Sequence, residues 1–178
     1  MKVLRVLDRG LMKLEEHILS YSIILIAIMI VGNVLSRAIF GKSWTSLFGQ
    51  SFSPQEMSTF AVTVATFMGI SYAARKGRHI SMSAFFDLAP YKIRKALAIV
   101  IPFLTAIVLF ILMYFAYEYF ISLYESKRKT TAMEMYAYYL AFFVPIGFGL
   151  GGLQFLRNMW VNIREKEVYL AQDKKDYS

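Results

Sequence analysis

The sequence contains no cysteine, two histidines, two tryptophans and four prolines in 178 residues. Without cysteine there is no disulfide scaffold, no cysteine-ligated zinc and no thiol catalysis. Charge is scarce as well: Asp, Glu, Lys and Arg make up 18% of the chain, against about 25% in a soluble domain. A phosphate-binding glycine loop, a catalytic triad and a zinc-ligand cluster are all missing, so the chain is not read as an enzyme. What is present is apolar. Hydrophobic residues reach 57% and the mean hydropathy is +0.47. A soluble fold this apolar could not cover itself with polar surface, and a disordered chain would be far more polar. The class is an all-α integral membrane protein, a single membrane domain over residues 1–178.

Four stretches carry no Asp, Glu, Lys or Arg: Ile18–Ser36, Met57–Ala74, Ala96–Tyr117 and Met135–Leu156. At about 1.5 Å rise per residue each reaches roughly 27–33 Å, the thickness of a hydrocarbon core. They predict four transmembrane helices, over about 17–37, 56–75, 96–119 and 135–157, with a tail over 158–178. The second is the least apolar, because Ser58, Thr59, Thr63, Thr66 and Ser71 lie in it. Such a helix is expected to be shielded by its neighbours.

The cations sort by side. The segment before span one, the loop between spans two and three, and the tail together hold 15 Lys and Arg; the two remaining loops hold five. The positive-inside rule then places both termini in the cytoplasm. The formal charge of +8 is explained by attraction to anionic membrane lipid, with no nucleic acid partner. In residues 2–15, Val3, Leu7, Leu11 and Leu14 share a helical face and cations fill the rest. This predicts an amphipathic helix on the membrane surface, or else the first turns of span one protruding inward. Ile80, Phe85, Phe86 and Leu88 suggest a second short surface helix before Pro90.

Ionisable groups inside spans mark ion paths and proton relays, because they are costly there. These charge-free spans offer none, and His17 and His79 lie outside them, so neither a stand-alone pump nor a haem anchor fits. The spans hold packing chemistry instead. Ala61, Ala65, Gly69 and Ala73 recur every four residues, and Gly147 and Gly151 form a GxxxG with Pro145 just before. Small residues let membrane helices approach closely, either within the chain or against a partner subunit. At the outer end, Asn33 and Arg37 sit one turn apart and Glu56 opens span two, where a helix N-terminus favours an anion. Arg37 and Glu56 are expected to pair with each other, or both to meet a partner.

The run Asn33-Val34-Leu35-Ser36-Arg37-Ala38-Ile39-Phe40 is followed by Glu56, then Phe67-Met68-Gly69 and Ala73-Ala74-Arg75-Lys76-Gly77-Arg78-His79-Ile80. Pro145-Ile146-Gly147-Phe148 falls in span four, with Arg157 after it. In order, spacing and topology this resembles the small membrane subunit of tripartite ATP-independent periplasmic (TRAP) transporters, over residues from about 15 to 165. The resemblance implies a multi-pass protein of the bacterial cytoplasmic (inner) membrane. It implies two partners: a large multi-span membrane subunit that carries substrate and sodium, and a periplasmic substrate-binding protein. The chain itself would be a scaffold with no cofactor of its own, sodium belonging to the partner subunit. The substrate would be an organic acid of the C4-dicarboxylate or sialic acid class. Asn33, Arg37, Glu56, Gly69, Arg75, His79, Pro145 and Gly147 match recurrent family features. Among them Gly69, Pro145 and Gly147 are read as packing residues, and Arg37 and Glu56 as outer candidates for holding the large subunit or receiving the binding protein.

Three departures stand out. Gln55-Glu56 replaces a frequent acidic pair, Ser83 stands where an Asp is usual, and the Phe40–Glu56 connection is long and carries Trp44, Phe48 and Phe52. That loop over 41–55 is a candidate contact for the binding protein. Outside the resemblance, the competing reading is a free-standing four-helix membrane adaptor or assembly protein. A third is a small self-sufficient transporter.

Overall fold

The computed structural model describes residues 2–49, 52–76, 90–165, 169–171 and 174–175. Among these residues six helices run in the order α1 (Lys2–Phe40), α2 (Trp44–Phe48), α3 (Pro54–Lys76), α4 (Tyr91–Ser126), α5 (Tyr138–Ala141) and α6 (Phe143–Arg164). In the tail, β1 (Tyr169–Ala171) and β2 (Lys174–Lys175) form a two-stranded antiparallel sheet. Among the described residues four helical stretches are long and apolar enough to cross a membrane: Gly10–Phe40, Pro54–Arg75, Tyr91–Ser126 and Tyr138–Arg164. His79 and the expected surface helix around Ile80–Leu88 lie outside the described residues.

Local chemistry sets the helix limits. Ser53 accepts the Glu56 amide N–H on its hydroxyl at 3.4 Å, and Pro54, which lacks an N–H, takes the first helical position of α3. α4 ends at Lys127, whose φ of 49° is left-handed and stops the helical bonding. Pro102 lies inside α4, a position that membrane helices tolerate. Pro145 sits in the first turn of α6, not in the middle of the span. It cannot donate to the carbonyl of Ala141, and α5 ends at that residue.

Several helix limits differ from the expected ones, α4 running from Tyr91 to Ser126 against 96–119, and two differences have a visible cause. α1 is one unbroken helix from Lys2, with no interruption between an interfacial element over 2–15 and a span from 17. The fourth span begins at Tyr138 rather than Met135, because residues 128–137 close a hairpin. In it Lys129 bridges Tyr136, the Thr130 N–H reaches the Met135 carbonyl at 2.7 Å, and the Ala137 N–H reaches the Arg128 carbonyl at 2.8 Å.

The long helices form a row rather than a closed bundle. α1 packs on α3, α3 on α6 and α6 on α4, while among the described residues α1 and α4 share no extended interface. A cluster of Ala74, Ala106, Leu109 and Phe155 joins α3, α4 and α6. Side-chain polarity is inverted relative to a soluble domain. Glu15, Ser22, Asn33, Ser71, Arg75, Asn158 and Asn162 are buried, while Ile24, Ile28, Val31, Val34, Leu104 and Ile111 are exposed. A hydrocarbon solvent imposes this arrangement, since apolar side chains cost nothing facing lipid and polar ones must find protein partners.

Candidate functional site: polar clamps at the two ends of the helix row

Polar contacts gather at opposite ends of the row, buried at one and largely exposed at the other. At the end near the chain termini, the Ser71 hydroxyl of α3 donates to Glu15 Oε1 of α1 at 2.7 Å. Arg75, one turn further along α3, sets its guanidinium 3.6 Å from Glu15 Oε2. Both charged side chains are almost fully enclosed, at 3% and 2% exposure. A buried carboxylate and guanidinium hold each other in place, because either alone would carry an uncompensated charge. On the other side of α3, Asn158 of α6 donates from Nδ2 to the Ala74 carbonyl at 3.0 Å. Asn162 donates to the Asn158 carbonyl at 3.1 Å. Adjacent α3 positions thus bind α1 through Arg75 and α6 through Ala74.

At the other end Glu56 tethers the hairpin. Its Oε1 accepts the Ala132 N–H at 2.8 Å and the Thr131 hydroxyl at 3.3 Å, and its Oε2 accepts the Met133 N–H at 2.9 Å. Successive backbone N–H groups turned to one side form a small anion-binding concavity, and the carboxylate fills it. Glu134, next in the chain, takes a left-handed φ of 53°. The expected Arg37–Glu56 pair is not formed. Arg37 is exposed at the end of α1 and has no ion-pair partner among the described residues. The hairpin amides, on the same side of the row, reach the carboxylate first.

Asn33 is buried rather than presented to a partner. Its Oδ1 accepts the Trp44 backbone N–H at 3.1 Å, and Ser36, one turn on, donates to the Lys42 carbonyl at 2.8 Å. These bonds fold the long connection back on α1, and the Trp44 indole lies over Gly32, where even a methyl group would collide with it. Trp44, Phe48 and Phe52 make the aromatic cluster of this connection, with centroids 5.7–6.3 Å apart.

The small residues are largely consumed within the chain. A Cβ at Gly147 would lie 2.6 Å from the Phe67 carbonyl carbon, so α6 and α3 meet backbone to backbone there. A Cβ at Gly151 would lie 2.6 Å from Ile70 Cγ2 and 3.5 Å from Leu109 Cδ1, placing this glycine between α3 and α4. Gly69 faces Leu19 of α1 at an ordinary 3.6 Å, Ala61 is 2% exposed, and Ala65 and Ala73 are half-buried. Pro145 is half-buried as well.

Sequence reasoning missed Glu15, Ser71, Asn158 and the hairpin. A signal for the first existed: Glu15, Ser22 and Asn33 stand seven and eleven residues apart, nearly whole helical turns, so they share one face. All three are buried.

Comparison with known proteins agrees with this architecture. The family model for tripartite ATP-independent periplasmic transporters, DctQ component, matches residues 26–165. The ectoine TRAP transporter small permease protein TeaB of Halomonas elongata is 37% identical over 169 residues, covering 95% of this chain and 84% of that protein. No solved structure matches the chain. With four membrane-crossing helices and a family match across most of its length, the chain belongs to the DctQ family, the small membrane component of TRAP transporters, and is a multi-pass protein of the inner membrane.

Proposed function

We propose that this chain is the non-catalytic scaffold of a sodium-coupled TRAP transporter. It would brace the large membrane subunit while that subunit moves substrate and sodium, and a periplasmic binding protein would deliver the solute. Family membership implies both partners. The observation that carries the scaffold role is the helix row. Its buried polar groups bond helix to helix, as Glu15 does with Ser71 and Arg75, and Asn158 does with Ala74. Tethers of this kind suit a part that holds its shape. Both termini would face the cytoplasm, on the asymmetry of 15 against five cations, which puts Arg37, α2 and the hairpin toward the binding protein.

For substrate we propose a small carboxylate-bearing solute of the organic acid class, C4-dicarboxylate or sialic acid. Ectoine joins that set, since the relative from Halomonas elongata is named for an ectoine transporter. The substrate would be held by the partner subunits, with no cofactor or sodium site in this chain.

The test is a mild-detergent purification from native membranes, followed by reconstitution. A roughly equimolar multi-span protein is expected to copurify. The pair, given its binding protein, should accumulate solute only with an inward sodium gradient. Recovery of the chain alone, or with cytosolic proteins only, would favour the membrane-adaptor reading. Uptake by the purified chain alone would establish a self-sufficient transporter.

A further inference from the structure

An open apolar cavity of about 650 Å³ lies at the hairpin end of the row. Because α1 and α4 share no extended interface, the space between these edge helices is left to Leu25 of α1, Phe60 of α3, Leu123 of α4 and Leu140 of α5, with Arg128 and Lys129 of the hairpin also in its lining. Its volume falls in the range of about 300–1,000 Å³ usual for ligand pockets, yet several of its polar lining groups are already engaged. Glu56 holds the hairpin amides, the Thr59 hydroxyl donates to the Gln55 carbonyl at 3.0 Å, and Thr130 Oγ1 accepts the Met135 N–H at 3.2 Å. A polar solute would therefore find few free partners inside.

The cationic groups are different. Arg128 is exposed, and its guanidinium has no partner among the described residues. Lys129 makes an exposed contact with Glu134 at 3.9 Å and lies 5.8 Å from the Tyr136 ring centroid, both weak contacts at an exposed site. Lys127, Arg128 and Lys129 are also three of the five cations on the side where the charge rule depletes them.

From this pairing of an apolar interior with a free Arg128 and a weakly held Lys129 we infer that the cavity is a phospholipid site. One acyl chain lies between α1, α3 and α4, and the phosphate of an anionic lipid sits on Arg128 and Lys129. The occupant would be a lipid rather than a helix of the large subunit, because a phosphate on an acyl chain answers both the exposed Arg128 and Lys129 and the apolar interior. The site concerns this chain's own surface and does not depend on the transport reading.

The test is native mass spectrometry of the full chain, with whatever subunit copurifies, from micelles containing phosphatidylglycerol and phosphatidylcholine. The wild type should retain phosphatidylglycerol selectively. The variant Arg128→Gln/Lys129→Gln should retain it about thirtyfold less, the effect of losing two membrane-apposed cations, at unchanged thermal stability. Thr59→Trp, which narrows the cavity without touching a charge, should displace both lipids. Equal retention of the two lipids by the wild type, or undiminished phosphatidylglycerol in both variants, would overturn the inference. A photocrosslinker at position 59 in the intact complex should yield lipid adducts; adducts to the large subunit's polypeptide would instead mean that a protein helix fills the space.

Discussion

Glu15 of α1 and Arg75 of α3 face each other at 3.6 Å with side chains 2% and 3% exposed, which ties the least enclosed long helix to the centre of the row. Removing one member of such a pair leaves the other charge buried, at a cost of about 3–5 kcal/mol. Arg75→Met alone is therefore expected to lower the unfolding temperature in detergent sharply. The double variant Glu15→Met/Arg75→Met should recover most of the loss, because an apolar pair of similar size needs no compensation. A double variant as unstable as the single one would show that Arg75 acts mainly through other groups.

Glu56 should control the hairpin rather than Arg37. Glu56→Gln keeps the size but replaces charge-assisted acceptors with a neutral amide, a loss of about 1.5 kcal/mol for hydrogen bonds of this type. Hydrogen exchange at the Ala132 and Met133 amides is expected to accelerate about tenfold, with α3 and α4 unaffected. Unchanged exchange would show that the Lys129–Tyr136 pairing holds the hairpin without the carboxylate.

Glycines in the same chain should respond in opposite ways. At Gly147 a side chain meets Phe67 backbone, which cannot yield, whereas nothing lies within 4 Å of a Cβ at Gly10. Gly147→Ala is expected to cost about 1–3 kcal/mol through overpacking. Gly10→Ala should be neutral or gain up to about 1 kcal/mol from helix propensity. Thermal unfolding of the two purified variants decides it, and equal shifts would contradict the close α3–α6 approach.

Asn33 is expected to set the outer loop. Asn33→Leu removes the acceptor of the Trp44 N–H. In a Trp160→Phe background, where Trp44 is the sole tryptophan, the emission maximum should move to the red as the indole leaves Gly32. An unshifted spectrum would mean that the aromatic cluster with Phe48 and Phe52 suffices to hold the loop.

The Arg37 side chain is exposed and has no ion-pair partner among the described residues. Arg37→Glu is therefore expected to change stability by no more than about 0.5 kcal/mol, as surface substitutions do, while lowering transport by the assembled system. Full transport activity in this variant would remove Arg37 from the partner surface.

Much of the architecture was legible in the residues. The charge-free stretches located all four spans to within several residues, because a bilayer leaves no solvent for charged side chains. The errors fell where chain-distant partners intervene. Met135 looked like span by hydropathy, yet the carbonyls and amides at 128–137 pair with one another first. Glu15 falls at the end of the expected surface helix over 2–15, and nothing in its chain neighbours tells that Ser71 and Arg75 meet it. The small-residue stripes left internal and external packing equally open, and only the position of Phe67 against Gly147 settled that case.

The class and the number of spans depend on local composition, since each residue's transfer from water to hydrocarbon is nearly independent of its neighbours. Those the sequence determined by itself. The order of the row, the burial of Glu15 with Arg75 and the capture of the hairpin by Glu56 depend on which helix faces meet. That is a property of pairs distant in the chain, and only the tertiary structure decided it.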